Sequence, residues 1–222
     1  MDPVRRQWGL PIDPGVTSTR RPPGRAAPNV LAYDRLVEIA GVDWLNTVFL
    51  SPERGFPETV IQRSYVEGGV VVSPDMTVTE GDHTVDVPER DPQGDYGVPD
   101  VGNRSNLREL ADSVSRIVLY AQLPADRRFD IGQSDADALA QALAASDGFM
   151  APGVAAALGD GATVYSKPGY VEGDDCVDAI FVQSPAFPNG AVLAASVRDD
   201  DDDCATLAGI AQAAMNFLKA QP

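Results

Sequence analysis

One histidine, two cysteines and two lysines are available to this 222-residue chain, and they bound its chemistry more tightly than its bulk composition does. A structural zinc site takes four Cys or His ligands and a catalytic one at least three protein ligands, usually with His. His83 cannot complete such a set even with carboxylates, so no metal ligand is assigned and no cofactor is expected. A Ser-His-acid triad would have to use His83 as its base, yet no Gly-x-Ser-x-Gly elbow sets a serine beside it. The plainer reading of His83 is an exposed loop histidine next to Asp82. Gly161 to Lys167 reads Gly-x-x-x-x-Ser-Lys, without the second glycine that lets a P-loop backbone approach a phosphate.

Carboxylates are abundant: 33 Asp and Glu against 17 Lys and Arg give a formal charge of −16. That balance excludes a nucleic-acid binder, whose affinity needs a basic face to neutralise phosphates. Asp199 to Asp203 is an acidic run ahead of a helical segment, where carboxylates interact favourably with the helix dipole. The alternative is a calcium site shared with Asp174 and Asp175, but the alternating acids and the glycine of an ion-wrapping loop are missing. No apolar run reaches the length of a membrane span, and Met1 to Gly9 lacks the apolar core of a cleavable signal.

The elements that would position these residues are legible in part. Residues 1–28 hold six prolines and five arginines with no helical or alternating pattern, and read as an arm or tail ahead of a domain over 29–222. Tyr33, Leu36, Val37 and Ala40 predict a helix over 31–40 that Gly41 stops. A second helix is expected over Pro57 to Tyr65, and residues 67–104, with nine acids, four prolines and six glycines, predict a long loop with one hairpin. Leu107, Leu110, Ala111, Val114, Ile117 and Val118 form the clearest amphipathic stripe, with Ser105 and Asn106 suited to cap it. Ser134 to Asp137 opens another helix that runs to about Ser146. Three β runs come next, Ala162–Tyr165, Val177–Val182 and Ala191–Val197, the last two joined by a Pro and Asn-Gly turn over 184–190. A helix from about Asp203 closes the chain. Helices, then an antiparallel three-stranded sheet with a C-terminal helix packed on it, make an α+β class.

Cys176 precedes the second of these strands and Cys204 follows the third. Antiparallel pairing brings the start of one strand to the end of the next, so a disulfide is sterically open to them, with two separate buried thiols as the alternative. A disulfide would imply an oxidising compartment.

The C-terminal half resembles the penicillin-recognising serine hydrolases, the class A β-lactamase and transpeptidase family. Val164-Tyr165-Ser166-Lys167-Pro168-Gly169 looks like the family's Lys-Thr/Ser-Gly strand, and Asp175 to Val182 is similar to its Asn-Asp-x-Ala-x-Ile strand. A Pro-rich turn, an apolar strand and a C-terminal helix come after them in the same order. The stretch Ala32 to Glu38 is similar to the family segment just after the Ser-x-Asn motif, which puts Ala27 or Pro28 in the place of the motif serine and leaves Asn29 as the nearest polar remnant. The resemblance covers about residues 27–222 and implies a partial β-lactamase/transpeptidase-like fold.

By that resemblance the Lys167 ammonium holds a substrate carboxylate, and Gly169 lets an acyl compound lie close to the strand. Pro168 stands where the family offers a hydroxyl. The nucleophile is missing: Ser-x-x-Lys occurs nowhere, since Val164 and Asn216 stand three residues before Lys167 and Lys219. Two readings result. One is a serine-hydrolase relative that is truncated, or completed by another chain. The other is a non-enzymatic module that keeps the cleft for a carboxylate-bearing acyl ligand. The strand Ala191–Val197, which in the family pairs with a strand from the N-terminal half, is expected as an open edge for a second copy or a complementing chain. The resemblance and the possible disulfide favour an extracytoplasmic location.

Overall fold

The computed structural model describes residues 28–80, 82–94, 96–98, 102–170, 175–198 and 204–221. The arm read over 1–28, apart from Pro28, lies outside the described residues, as do Asp174 and the acidic run Asp199 to Asp203. The chain divides into two compact units, one ending at Asn106 and one beginning at Leu107, so the boundary falls within the span 29–222 read as one domain. Each unit mixes helix with one small antiparallel sheet.

The first unit opens with α1, Pro28–Ala40, whose proline occupies the first helical position, where a missing N–H costs nothing. Val37 is buried against Val42 and Val71, with Tyr33, Leu45, Ile61 and Tyr96 packed around them. Leu36, expected on this face, is exposed, and Asp34 takes the inward position. Gly41 ends the helix at φ +85°, and its N–H reaches the Val37 carbonyl at 2.7 Å. The Arg90 guanidinium then satisfies the last carbonyls, donating to Glu38 and Ile39 at 2.9 Å each and to Ala40 at 3.2 Å. A Cβ on Gly41 would lie 2.8 Å from an Arg90 nitrogen, so glycine is needed here for space as well as for conformation. A helical turn, Val42–Trp44, continues into a π-helical turn, Leu45–Phe49.

The helix expected over 57–65 does not form. The side chain of Asn46 accepts the Ile61 N–H at 2.9 Å and donates to the Ile61 carbonyl at 2.8 Å, while the oxygen of Asn103 takes the N–H groups of Gln62 and Arg63. Val60 and Arg104 exchange both backbone bonds. These are the groups a helix would have paired with itself, so the segment stays extended and its polar groups are satisfied from a distance. Within 67–104 the expected hairpin is present as β1, Met76–Glu80, and β2, His83–Val87, paired from Met76 opposite Val87 to Glu80 opposite His83.

The second unit begins with α2, Leu107–Val118, and α3, Gln133–Ala144. At the start of α3, Asp135 accepts the Gly132 N–H at 3.2 Å, so the backward half of the cap comes from Asp135. Next comes a helix that sequence periodicity did not reveal, α4, Ala151–Leu158. The sheet is next: β3, Thr163–Tyr170; β4, Asp175–Ser184; and β5, Phe187–Arg198, in the spatial order β3-β4-β5 and antiparallel throughout. α5, Ala205–Lys219, ends the unit.

β4 is apolar nearly without interruption because both of its faces are covered. On one face Cys176, Ile180 and Val182 meet Met150, Val154 and Ala157 of the α4 region and Leu207, Ala211 and Met215 of α5. On the other, Ala179 and Phe181 pack on Val114 of α2, with Leu143 of α3 and Tyr165 of β3 alongside. The two helices on the first face touch closely: a Cβ on Gly153 would lie 1.8 Å from the Ala208 carbonyl oxygen. The Lys219 ammonium donates to the Ala157 carbonyl at 2.9 Å, at the end of α4.

Two sequence expectations about the β4–β5 connection are corrected. The turn is Pro185 and Ala186 alone, because β4 runs on to Ser184 and β5 starts at Phe187. Asn189 and Gly190, expected in the turn, belong to β5. With Val182 opposite Ala191 and Ser184 opposite Phe187, the three residues Pro188 to Gly190 face Gln183 alone, which is a bulge. Gly190 sits at φ +77°, and a Cβ there would fall 2.1 Å from the Phe181 ring. At the far end of the same pair of strands, Cys176 and Cys204 are joined as a disulfide with Cα atoms 5.7 Å apart, both buried.

Candidate functional site

Of the residues singled out for ligand binding, Lys167 and Gly169 lie together on β3, in the second unit, on the face that carries Tyr165 and Phe181. β3 bonds to β4 only, so it is an edge strand among the described residues, a position that tolerates Pro168 and its missing N–H. Asn29 lies in α1 of the first unit.

Lys167 is exposed, and its ammonium donates to the Pro168 carbonyl at 2.7 Å. No carboxylate forms an ion pair with it among the described residues. Its pKa is lowered, chiefly because surrounding protein displaces water from the ammonium, with the charge of Asp178 opposing the shift. The result is a cation held at an open strand edge without a carboxylate partner among the described residues.

Gly169 has a packing reason that its spacing did not disclose. It stands opposite Val177, and a Cβ would meet the Val177 methyl at 2.6 Å. The glycine lets β3 and β4 keep their pairing beside a branched side chain, whether or not a ligand approaches.

Ser166, the hydroxyl nearest to Lys167 in sequence, points to the opposite face and is buried. Its Oγ donates to Oδ1 of Asp178 at 2.7 Å, and Oδ2 of Asp178 accepts the Met150 N–H at 3.0 Å. A Cβ on Gly148 would fall 1.9 Å from that hydroxyl, so the loop ahead of α4 closes over it. Sequence reasoning missed this network. Its signal was a lone acid, Asp178, inside the apolar run Cys176 to Val182, since a buried carboxylate must find donors.

The first unit holds a half-open cleft of about 230 Å³ lined by Leu31, Asp34, Glu38, Ser64, Val66 and Glu67, among others. Its polar floor is fully used: Asp34 accepts the Ser64 hydroxyl at 2.5 Å and the N–H groups of Tyr65 and Val66 at 2.9 and 3.1 Å. Beside it Asn103 donates to the hydroxyls of Tyr33 and Tyr65, and burial pushes the Tyr33 phenol up to about 12. Asp43 accepts the Tyr96 hydroxyl, which draws the Asp43 pKa down and, with burial as the larger cause, raises Tyr96 to about 12. These bonds tie Asn103 and Asp43 to tyrosines distant in the chain and so fasten the fold of the first unit.

His83 is the first residue of β2, directly after the turn residue Asp82, and so belongs to the strand and not to the loop expected for it. Among the described residues no group of three or more His, Cys, Asp or Glu is placed to hold a metal ion. No helix there is long and apolar enough to cross a membrane. No family model matches the chain, and no curated protein or solved structure matches it either.

Proposed function

We propose that the chain is a β-lactamase-like relative of the serine hydrolases that has no nucleophile of its own and binds carboxylate-bearing acyl compounds at Lys167. The observation that carries this reading is the Lys167 ammonium, exposed on an edge strand without an ion-pair partner among the described residues. A carboxylate arriving there gains a charge-assisted bond, and the open edge of β3 offers backbone groups beside it. The order of three antiparallel strands followed by a helix agrees with the resemblance in the Lys167 and Asp178 strands.

The test is calorimetric titration of the protein with an N-acylated amino acid and with the corresponding amide. Binding of the acid, not of the amide, is expected, and Lys167→Ala should weaken it about tenfold or more, the scale of a hydrogen bond to a charged group. Equal affinity of acid and amide, or an unchanged Lys167→Ala variant, overturns the reading.

A second reading, a hydrolase completed by another chain, draws on β5. Among the described residues the outer edge of this strand has no partner, and Phe187 to Val197 holds no charged side chain to discourage pairing. Sedimentation of the pure chain should show self-association that a Val192→Lys substitution, at an exposed strand position, suppresses. A monodisperse monomer at high protein concentration counts against it.

A further inference from the structure

We propose that Asn189 is a site of spontaneous deamidation through a succinimide, a modification that places negative charge on the β5 edge. Asn189 is the sole asparagine followed by glycine; Asn29, Asn46, Asn103, Asn106 and Asn216 precede Val, Thr, Arg, Leu and Phe. The reaction needs the backbone nitrogen of the following residue to reach the side-chain carbonyl, and a following side chain obstructs that approach.

The fold places this pair at the irregular stretch of β5. Pro188, Asn189 and Gly190 form the bulge in which three residues face Gln183, and none of the three has a register partner on β4. Asn189 is exposed. Gly190 cannot be exchanged for a bulkier residue, because the Phe181 ring fills the place of its Cβ and its φ of +77° suits glycine. The packing that demands the glycine therefore keeps an unobstructed backbone nitrogen next to Asn189.

In the first step the Gly190 nitrogen bonds to Cγ of Asn189, the Cγ–Nδ2 bond breaks, and the Gly190 amide proton leaves with the amide as ammonia. Water then opens the ring at Cγ to give aspartate, or at the backbone carbonyl to give isoaspartate. Either product adds a carboxylate to a segment, Phe187 to Val197, that has no charge of its own. Charge on an edge strand discourages pairing with another chain, so the modified form is expected to associate less readily than the fresh one.

The test is incubation of the full chain in mildly alkaline buffer, followed by isoelectric focusing and peptide mapping by mass spectrometry. A more acidic species should accumulate, with aspartate and isoaspartate at position 189, and Asn189→Gln should abolish it. The native rate should lie within about tenfold of that in urea-unfolded protein, since the bulge imposes little extra barrier. Native protection beyond that, comparable modification at the other asparagines, or an acidic species that persists in Asn189→Gln overturns the proposal.

Discussion

Ser166 and Asp178 hold each other inside the second unit, hydroxyl to carboxylate at 2.7 Å, while the next residue, Lys167, faces the other side of the sheet. One step of the strand pleat thus divides two jobs. The inward residue fastens β3 to β4 and, through the Met150 N–H, to the loop ahead of α4. Lys167, on the face that carries Ala179 and Phe181, keeps an exposed side chain.

Removing the inward hydroxyl should therefore cost stability without touching ligand binding. Ser166→Ala leaves a buried carboxylate with one donor fewer, at an expected cost of about 1–3 kcal/mol. Urea denaturation should show a lower midpoint with an unchanged slope. Thr163→Ala, at an exposed position of the same strand, should stay within about 0.5 kcal/mol of the parent. A Ser166→Ala protein as stable as the parent would show that this bond contributes little.

How far the sequence discloses this arrangement depends on what each residue packs against. α2 is legible because Leu110, Val114 and Val118 repeat at helical spacing over a polar background. α4 is hidden because Pro152 and Gly153 read as breakers. Pro152 in fact sits in the first turn, where its missing N–H is harmless, and Gly153 is there for contact with α5. The segment around Ile61 and Gln62 shows the opposite failure: a helical pattern lost to Asn46 and Asn103, whose amides claim its backbone from 15 and 41 residues away. Lys167 stands out by resemblance to a motif, whereas the Asp178 network is reached only by asking how a lone buried acid is satisfied.

The Cys176–Cys204 bond closes a loop with a sequence separation of 28 and should contribute about 3–4 kcal/mol by restricting the unfolded chain. Both sulfurs are buried, so reductant should act slowly on the native protein and quickly once it unfolds. Thiol counting in denaturant without reductant should return none; two free thiols would remove the bond from the account.

The lowered pKa of Lys167 fixes the sign of two pH dependences. Its ammonium is less favoured in the folded chain than in the unfolded one, so between the two pKa values the unfolded state binds more protons. Lys167 therefore opposes folding while charged, and stability should rise with pH as that opposition is relieved, in a window between its lowered pKa and the ordinary lysine range. Binding of a carboxylate at this position runs the other way, weakening as pH rises through the same window because the cation is lost. Replacing Lys167 by Met should flatten both profiles. A binding profile that stays level up to the ordinary lysine range would show that the ligand does not depend on this ammonium.

The pure protein is expected to form no acyl-enzyme with a fluorescent penicillin. A serine hydroxyl attacks a carbonyl at neutral pH only when a base within hydrogen-bond reach takes its proton. Ser166 is beside an acid, but that pair is buried on the face away from Lys167 and shields its own hydroxyl from any acyl compound. Ser64 is likewise bonded to Asp34 and buried, with its oxygen also accepting the Val66 and Glu67 N–H groups at 3.2 and 2.9 Å. Lys219 donates to the Ala157 carbonyl at the end of α4, where its ammonium fastens a helix. Lys167 remains, and the serine that precedes it in the chain points through the sheet to the other side. On the proposed reading, a penicillin held through its carboxylate at Lys167 is released unchanged, because neither Ser166 nor Ser64 has a free base beside an exposed hydroxyl. Incubation followed by denaturing electrophoresis should therefore show no covalent fluorescence, while the same probe competes with an N-acylated amino acid for the Lys167 position. A label mapped by mass spectrometry to a single serine would establish a nucleophile in the chain.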